Sequence, residues 1–212
     1  MQAAGGVRES GTVTGSIDFY FEFASPYGYL ASTRIDAIAA RHGRAVSWHP
    51  IMLGAAFKLT GAQPLVRTPL KGDYMMRDLP RFARLLGVPF KAPPVMPANS
   101  LAAGRACVWL GQDDPKMAKA LAQAILHAHW GEGRDIARPE DVADIAEPLG
   151  IERAALLAAV ADPAIKERLK EATQAAIERG VFGSPFVLVD GEPFWGADRL
   201  DQVERWLAAG GW

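Results

Sequence analysis

The sequence predicts an α/β protein in which an opening βαβ unit and a terminal ββα unit are separated by a long helical block. Three observations carry this. An aromatic-rich run, Ile17 to Phe23, leads at once into Ser25-Pro26 and a helical apolar pattern. The stretch from about 57 to 177 keeps a helical pattern almost throughout. The end of the chain returns to two short β runs joined by Asp190-Gly191, a strong hairpin signal.

Residues 1–15 are small, polar and Gly-rich with no apolar core, so a disordered leader rather than a signal peptide is expected there, and the default location is cytoplasmic. Ile17–Phe23 reads as a buried strand. Ser25 is a favoured N-cap and Pro26 a favoured first helical residue, so a helix is expected from Pro26 to His42, ending at Gly43. Ala45–His49 supplies the second strand, joined by a right-handed crossover. A Gly- and Pro-containing loop, Thr60–Pro69, leads into helices near 73–87, 99–111, 115–130, 139–148, 152–161 and 163–179. Glycines stop most of these helices, and Asp162-Pro163 opens the last. Phe186–Val189 and Glu192–Trp195 form the hairpin. Asp198 is expected to cap a final amphipathic helix built on Leu200, Val203, Trp206 and Leu207. Residues 16–56 and 178–212 then make one discontinuous domain, and 57–177 a helical insertion.

The 212 residues are 50% hydrophobic and 22% charged, which is ordinary globular composition and excludes disorder over most of the chain. Lys and Arg number 23 against 24 Asp and Glu, giving no electrostatic reason to expect a nucleic-acid or membrane partner. No apolar run is long enough to predict a transmembrane helix. Cys107 is the single cysteine, so an intrachain disulfide, a CxxC redox pair and a multi-cysteine zinc site are excluded. It lies mid-helix among apolar neighbours and reads as a core thiol. His127 and His129 are two apart and face different ways on a helix, and no metal-binding pattern occurs.

Ser25 is the first candidate for chemistry. Its position suits a plain N-cap. It also suits a partner for an anion or thiolate, because helix N-termini present free N–H groups and partial positive charge. Pro185 suits a strand start, or a cis bond to Ser184. Asp198-Arg199 reads as a cap with a surface arginine, or as a pair for the charged end of a zwitterion. Lys71 reads as a solvated lysine, and Asn99-Ser100 with Arg105 as a cap and a first turn.

The βαβ…ββα pattern with a helical block between its halves resembles the thioredoxin-like fold of the DsbA and kappa-class glutathione transferase type. Asp18-Phe19-Tyr20-Phe21-Glu22-Phe23-Ala24-Ser25-Pro26-Tyr27-Gly28-Tyr29-Leu30-Ala31 resembles the opening of 2-hydroxychromene-2-carboxylate isomerases. Gly180-Val181-Phe182-Gly183-Ser184-Pro185, Val189-Asp190-Gly191-Glu192 and Phe194-Trp195-Gly196-Ala197-Asp198-Arg199-Leu200 do the same near the end. Leu70-Lys71-Gly72-Asp73-Tyr74 and Pro97-Ala98-Asn99-Ser100 agree in the middle.

The resemblance implies glutathione as cofactor and a small aromatic substrate. Ser25 and Gly28 stand at the two redox-cysteine positions, and Ser25 would hold the glutathione thiolate. Val181, Ser184 and Pro185 would hold the glutathione backbone, Asp198 and Arg199 its γ-glutamyl end, and Lys71 another part of it. Asn99 and Tyr27 would face the substrate. Ala62 stands where relatives carry an asparagine. The implied reaction interconverts 2-hydroxychromene-2-carboxylate and trans-o-hydroxybenzylidenepyruvate through a transient glutathione adduct, a step in aromatic catabolism. Competing readings are a kappa-type transferase or peroxidase acting on another electrophile, and a non-catalytic binder of glutathione conjugates. Relatives of this type dimerise, so a homodimer is among the expectations. The helical block should cover the sheet end that carries Ser25 and leave a largely apolar cleft.

Overall fold

Strand β1 (Ile17–Phe21) runs through the interior of a four-stranded sheet and is buried along its whole length in a computed structural model of the chain. The structure describes residues 15–212, so the leader expected over 1–15 lies, apart from Gly15, outside the described residues. β1 pairs parallel with β2 (Val46–Pro50) and antiparallel with β3 (Phe186–Val189). β3 pairs antiparallel with β4 (Glu192–Trp195), giving the order β2-β1-β3-β4. Parallel pairing of β1 with β2 requires the crossover helix that Ser25-Pro26 starts. The hairpin turn has positive φ at both central residues, 55° at Asp190 and 96° at Gly191, as a two-residue turn matched to strand twist demands.

Alternation along the strands sorts the core into two faces. Ile17, Phe19 and Phe21 join Val187 and Val189 in the main core, with Trp48 edge-on to Phe19 at 4.9 Å between ring centres. Tyr20, Phe186 and Leu188 point the other way and pack with Ile51, Ala176 and Val181. Asp18 shares that second face. Its buried carboxylate is answered by Arg179 Nη2 and His49 Nε2, each at 2.8 Å. Burial alone would raise the Asp18 carboxyl, but these bonds outweigh it and hold it below the usual range.

The helix expected over 26–42 is two: α1 (Pro26–Ser32) and α2 (Ile35–Arg41). Ser32 and Thr33 donate their hydroxyls to the carbonyls of Tyr29 and Leu30, at 2.7 and 2.8 Å. Such back-bonding competes with helix propagation and breaks the run. The strand expected to reach Phe23 stops at Phe21, because the chain turns there: the Ser25 N–H reaches the Glu22 carbonyl at 2.9 Å. A further helix, α3 (Leu53–Thr60), begins ahead of the expected helical block. Only Ala56 of it is buried, so it left little apolar periodicity to read.

The block continues with α4 (Lys71–Leu86), α5 (Leu101–Leu110), α6 (Pro115–Leu126), α7 (Pro139–Ala146), α8 (Arg153–Ala161) and α9 (Pro163–Glu178). The Asp114 and Asp162 carboxylates cap α6 and α9. The helix expected to run to 130 leaves α geometry after Leu126 and closes in a π turn, His127–Gly131. The last helix, α10 (Leu200–Ala209), is not capped by Asp198 as expected. A short 3₁₀ turn, Ala197–Arg199, precedes it, and Asp198 instead binds Arg199 Nη1 at 2.8 Å. Among the described residues, no helix is long and apolar enough to cross a membrane.

Candidate active site

Ser25 stands where β1 has ended and α1 begins, and it is 8% exposed. Its Oγ accepts from the Gly28 N–H at 3.1 Å, so the N-cap reading holds. Its hydroxyl donates to the Ser184 carbonyl at 2.9 Å, and Ser184 is joined to Pro185 by a cis peptide bond. The two end motifs, about 160 residues apart in sequence, therefore meet at one point. Gly28 completes the junction: a Cβ there would lie 2.8 Å from Ser184 Oγ. That Oγ is itself fixed, accepting from the Glu22 N–H at 2.9 Å.

This junction forms one wall of a cleft of about 2220 Å³ between the sheet end and the helices. The cleft opens to solvent and exceeds a single small-molecule site, which occupies about 300–1,000 Å³. Ser25, Tyr27, Lys71, Asn99, Ser184, Pro185 and Asp198 all line it. Lys71 is the first residue of α4 and follows Leu70, an exposed side chain on a backbone with φ 64°, rare for a non-glycine residue. Among the described residues, Lys71 makes no ion pair. Asn99 Oδ1 accepts from the Leu101 N–H at 3.2 Å.

Tyr27 donates its hydroxyl to Asp78 Oδ2 at 2.8 Å. Burial, then the Asp78 bond and charge, raise its phenol well above the ordinary range, so it is a neutral donor already committed. A ligand would meet its ring. Asp198 lies at the cleft, but Arg199 points to Asp198 and does not line the wall. Val181 lies outside the cleft too. It is buried in the second apolar cluster, with its N–H bonded to the Ala176 carbonyl at 3.0 Å. Cys107 is buried away from the cleft, and burial pushes its thiol far up, so it is no reactive thiolate.

Two cleft residues escaped the sequence reading of the site. Glu22 is nine-tenths buried at the foot of the Ser25 turn and lines the cleft. Burial pushes its carboxyl up to about 7, against the lowering effect of the Ser100 hydroxyl and the Ala24 N–H. Ser100, read as a cap, makes no side-chain cap bond and donates to Glu22 Oε1. The signal available for Glu22 was an acidic residue between Phe21 and Phe23, just after the aromatic-rich strand. The partner that gives it meaning is distant in sequence.

Trp130, from the π turn, is buried beneath this loop. It donates Nε1–H to the Phe23 carbonyl at 2.8 Å and stacks on Phe90 with ring centres 6.3 Å apart.

The chain is similar to known proteins over most of its length. The family described as DSBA-like thioredoxin domain matches residues 16–208. The 2-hydroxychromene-2-carboxylate isomerase of Sphingobium xenophagum is 34% identical over 197 residues, covering 92% of this chain and 99% of that protein. A solved structure of 2-hydroxychromene-2-carboxylate isomerase, also 34% identical, superposes with a TM-score of 0.81 over 92% of this chain and 94% of the other. Glutathione S-transferase kappa 1 of Homo sapiens is 26% identical over 214 residues, covering 93% and 95% of the two chains.

Proposed function

This chain belongs to the 2-hydroxychromene-2-carboxylate isomerase family, within the DSBA-like thioredoxin domains, and from that premise we propose that it interconverts 2-hydroxychromene-2-carboxylate and trans-o-hydroxybenzylidenepyruvate with glutathione as cofactor. The observation that carries this reading is a thioredoxin-type junction without a thiol. Ser25 and Gly28 face cis-bonded Ser184-Pro185, in a cleft with room for a tripeptide and an aromatic acid. Cis–trans conversion needs a conjugated double bond to become single for a moment, with no net change of redox state. Bound glutathione supplies the nucleophilic thiolate for that, so the protein needs no cysteine of its own.

The residues fit such a ligand. Ser25, whose hydroxyl now donates to the Ser184 carbonyl, would donate to the thiolate of the bound cofactor. Ser184 and Pro185 would hold its peptide backbone. Asp198 would hold the γ-glutamyl ammonium, Arg199 its carboxylate, and Lys71 a further carboxylate of the cofactor. Asn99 and the ring of Tyr27 orient the aromatic substrate, and Met75 and Phe82 close the apolar side of the cleft. Glutathione is plentiful in the cytoplasm, and the enzyme is proposed to act there.

The test is ultraviolet absorbance of 2-hydroxychromene-2-carboxylate with and without glutathione. Wild type should equilibrate it rapidly only when glutathione is present. A hydrogen bond to a charged group is worth about 1.5–3 kcal/mol, so Ser25→Ala should lower the rate about 10- to 200-fold. Equal rates without glutathione, or an unaffected Ser25→Ala, would sink this mechanism.

A further inference from the structure

We infer that Glu22 is a second catalytic residue of this cleft, one that carries a proton between the two oxygens exchanged when the cyclic hemiketal of the substrate opens and closes. The inference rests on the isomerase reading above. Cis–trans conversion cannot begin while the double bond is held in the ring, so the ring must open first. Ser25 has no part in that step, since its chemistry is with sulfur.

The geometry singles out Glu22. It lies three residues before Ser25 on the same turn, and its backbone is braced from both sides. Its N–H donates to Ser184 Oγ, and its carbonyl accepts from the Ser25 N–H, each at 2.9 Å. Glu22 and Ser100 both line the cleft, and the Ser100 hydroxyl donates to Glu22 Oε1. A buried carboxylate normally has a cationic partner, and among the described residues this one has none. The ionisable groups sharing the cleft from other elements are Tyr27, Lys58, Lys71, Tyr74, Asp78, Glu167, Lys170, Glu171, Glu178 and Asp198. None of them contributes to its raised affinity for protons. Burial does, while the bonds from Ser100 and the Ala24 N–H pull the other way. A carboxyl that titrates near neutrality is suited to give and take a proton in turn.

The step balances. The Glu22 carboxylate accepts the proton of the C2 hydroxyl. The freed electron pair on that oxygen forms the carbonyl, and the bond from C2 to the ring oxygen breaks. Its electron pair leaves on the phenolic oxygen, which takes the proton back from Glu22. One proton has moved between two oxygens of the substrate, no electron has been gained or lost, and Glu22 is again a carboxylate. Ring closure is the reverse.

Exchange NMR of 2-hydroxychromene-2-carboxylate, without glutathione, isolates this step. Wild type should speed interconversion of the closed and open cis forms. Glu22→Gln, which keeps shape and one of the two acceptor oxygens, should lower that rate by about 10²- to 10⁴-fold at unchanged far-ultraviolet circular dichroism. Glu22→Asp, a carboxylate withdrawn by one methylene, should give an intermediate rate with a shifted pH profile and covers the case in which Glu22→Gln does not fold. Carbon-13 NMR of glutamate-labelled protein should show one side-chain carboxyl titrating near neutrality, absent from Glu22→Gln. Wild type that leaves ring exchange at its background rate, or Glu22→Gln that matches wild type, overturns the assignment. Ring opening that depends on Glu22, with no trans product when glutathione is added, would sink the isomerase reading and leave Glu22's role standing.

Discussion

Trp130→Ala is expected to destabilise the protein by about 3–5 kcal/mol, the usual cost of truncating a large buried aromatic. For a domain of this size that is a fall in Tm of roughly 6–20 °C. The indole is 1% exposed, stacks on Phe90 and lies edge-on to His129. It also ties the helical block to the sheet, because its N–H serves the Phe23 carbonyl, two residues before Ser25. Trp130→Phe separates the two contributions. It keeps an aromatic ring against Phe90 and leaves the Phe23 carbonyl without its donor, which costs about 1–3 kcal/mol when buried. Chemical denaturation of the three proteins checks this. A loss below about 1 kcal/mol for Trp130→Ala would mean that the π turn is not a structural support of the active-site loop.

Raising the pH from 4.5 to 8 should cost the wild type about 3 kcal/mol of stability that Glu22→Gln does not lose. The Glu22 carboxyl lies near 7 in the folded chain, against 4.5 in its ordinary state. Between those values the unfolded chain has released its proton and the folded chain has kept it. Stability is therefore fully present below about 4.5 and declines as pH rises through 7. A shift of this size corresponds to about 3 kcal/mol. Two other buried groups bear on the measurement. Asp18 is held below its usual range, so it acts at more acidic pH. His129 is pushed down by burial, against bonds and charges that raise it, and its contribution grows as pH rises toward 6.5, opposite in sign to Glu22. The difference between wild type and Glu22→Gln cancels both. Urea midpoints at pH 5 and pH 8 give it directly, and parallel pH slopes for the two proteins would refute the raised carboxyl.

What the sequence revealed follows the range of the forces involved. Strand β1, the Ser25-Pro26 helix start and the Asp190-Gly191 turn are set by neighbours within a few residues, and each was legible. The junction of Ser25 with Ser184-Pro185 became legible only through resemblance, because composition and spacing carry no information about which distant segments touch. The break after Ser32 was missed because serine and threonine hydroxyls can point outward or bond back, and sequence does not say which. α3 was missed because it buries one residue, leaving periodicity nothing to register. Asp198 looked like a cap by position, yet its carboxylate turned to Arg199. Glu22 was the largest omission. Its raised carboxyl is made by burial, and its hydrogen-bond partner is a serine 78 residues away; neither is written near it in the chain.

Gly28 leaves little room for a second thiol at this junction. Two sulfur atoms at positions 25 and 28 would restore the composition of a redox pair, but position 28 has been filled from across the junction. A Cβ there meets Ser184 Oγ at 2.8 Å and Ser25 Cβ at 3.2 Å, and moving Ser184 Oγ aside gives up its bond from the Glu22 N–H. Glycine at 28 and serine at 184 thus suit each other, and a side chain at 28 requires a change at 184 as well. Ser25→Cys with Gly28→Cys is accordingly expected to remain largely reduced in a glutathione redox buffer. Adding Ser184→Ala, which clears the obstructing oxygen, should raise the oxidised fraction measured by thiol alkylation.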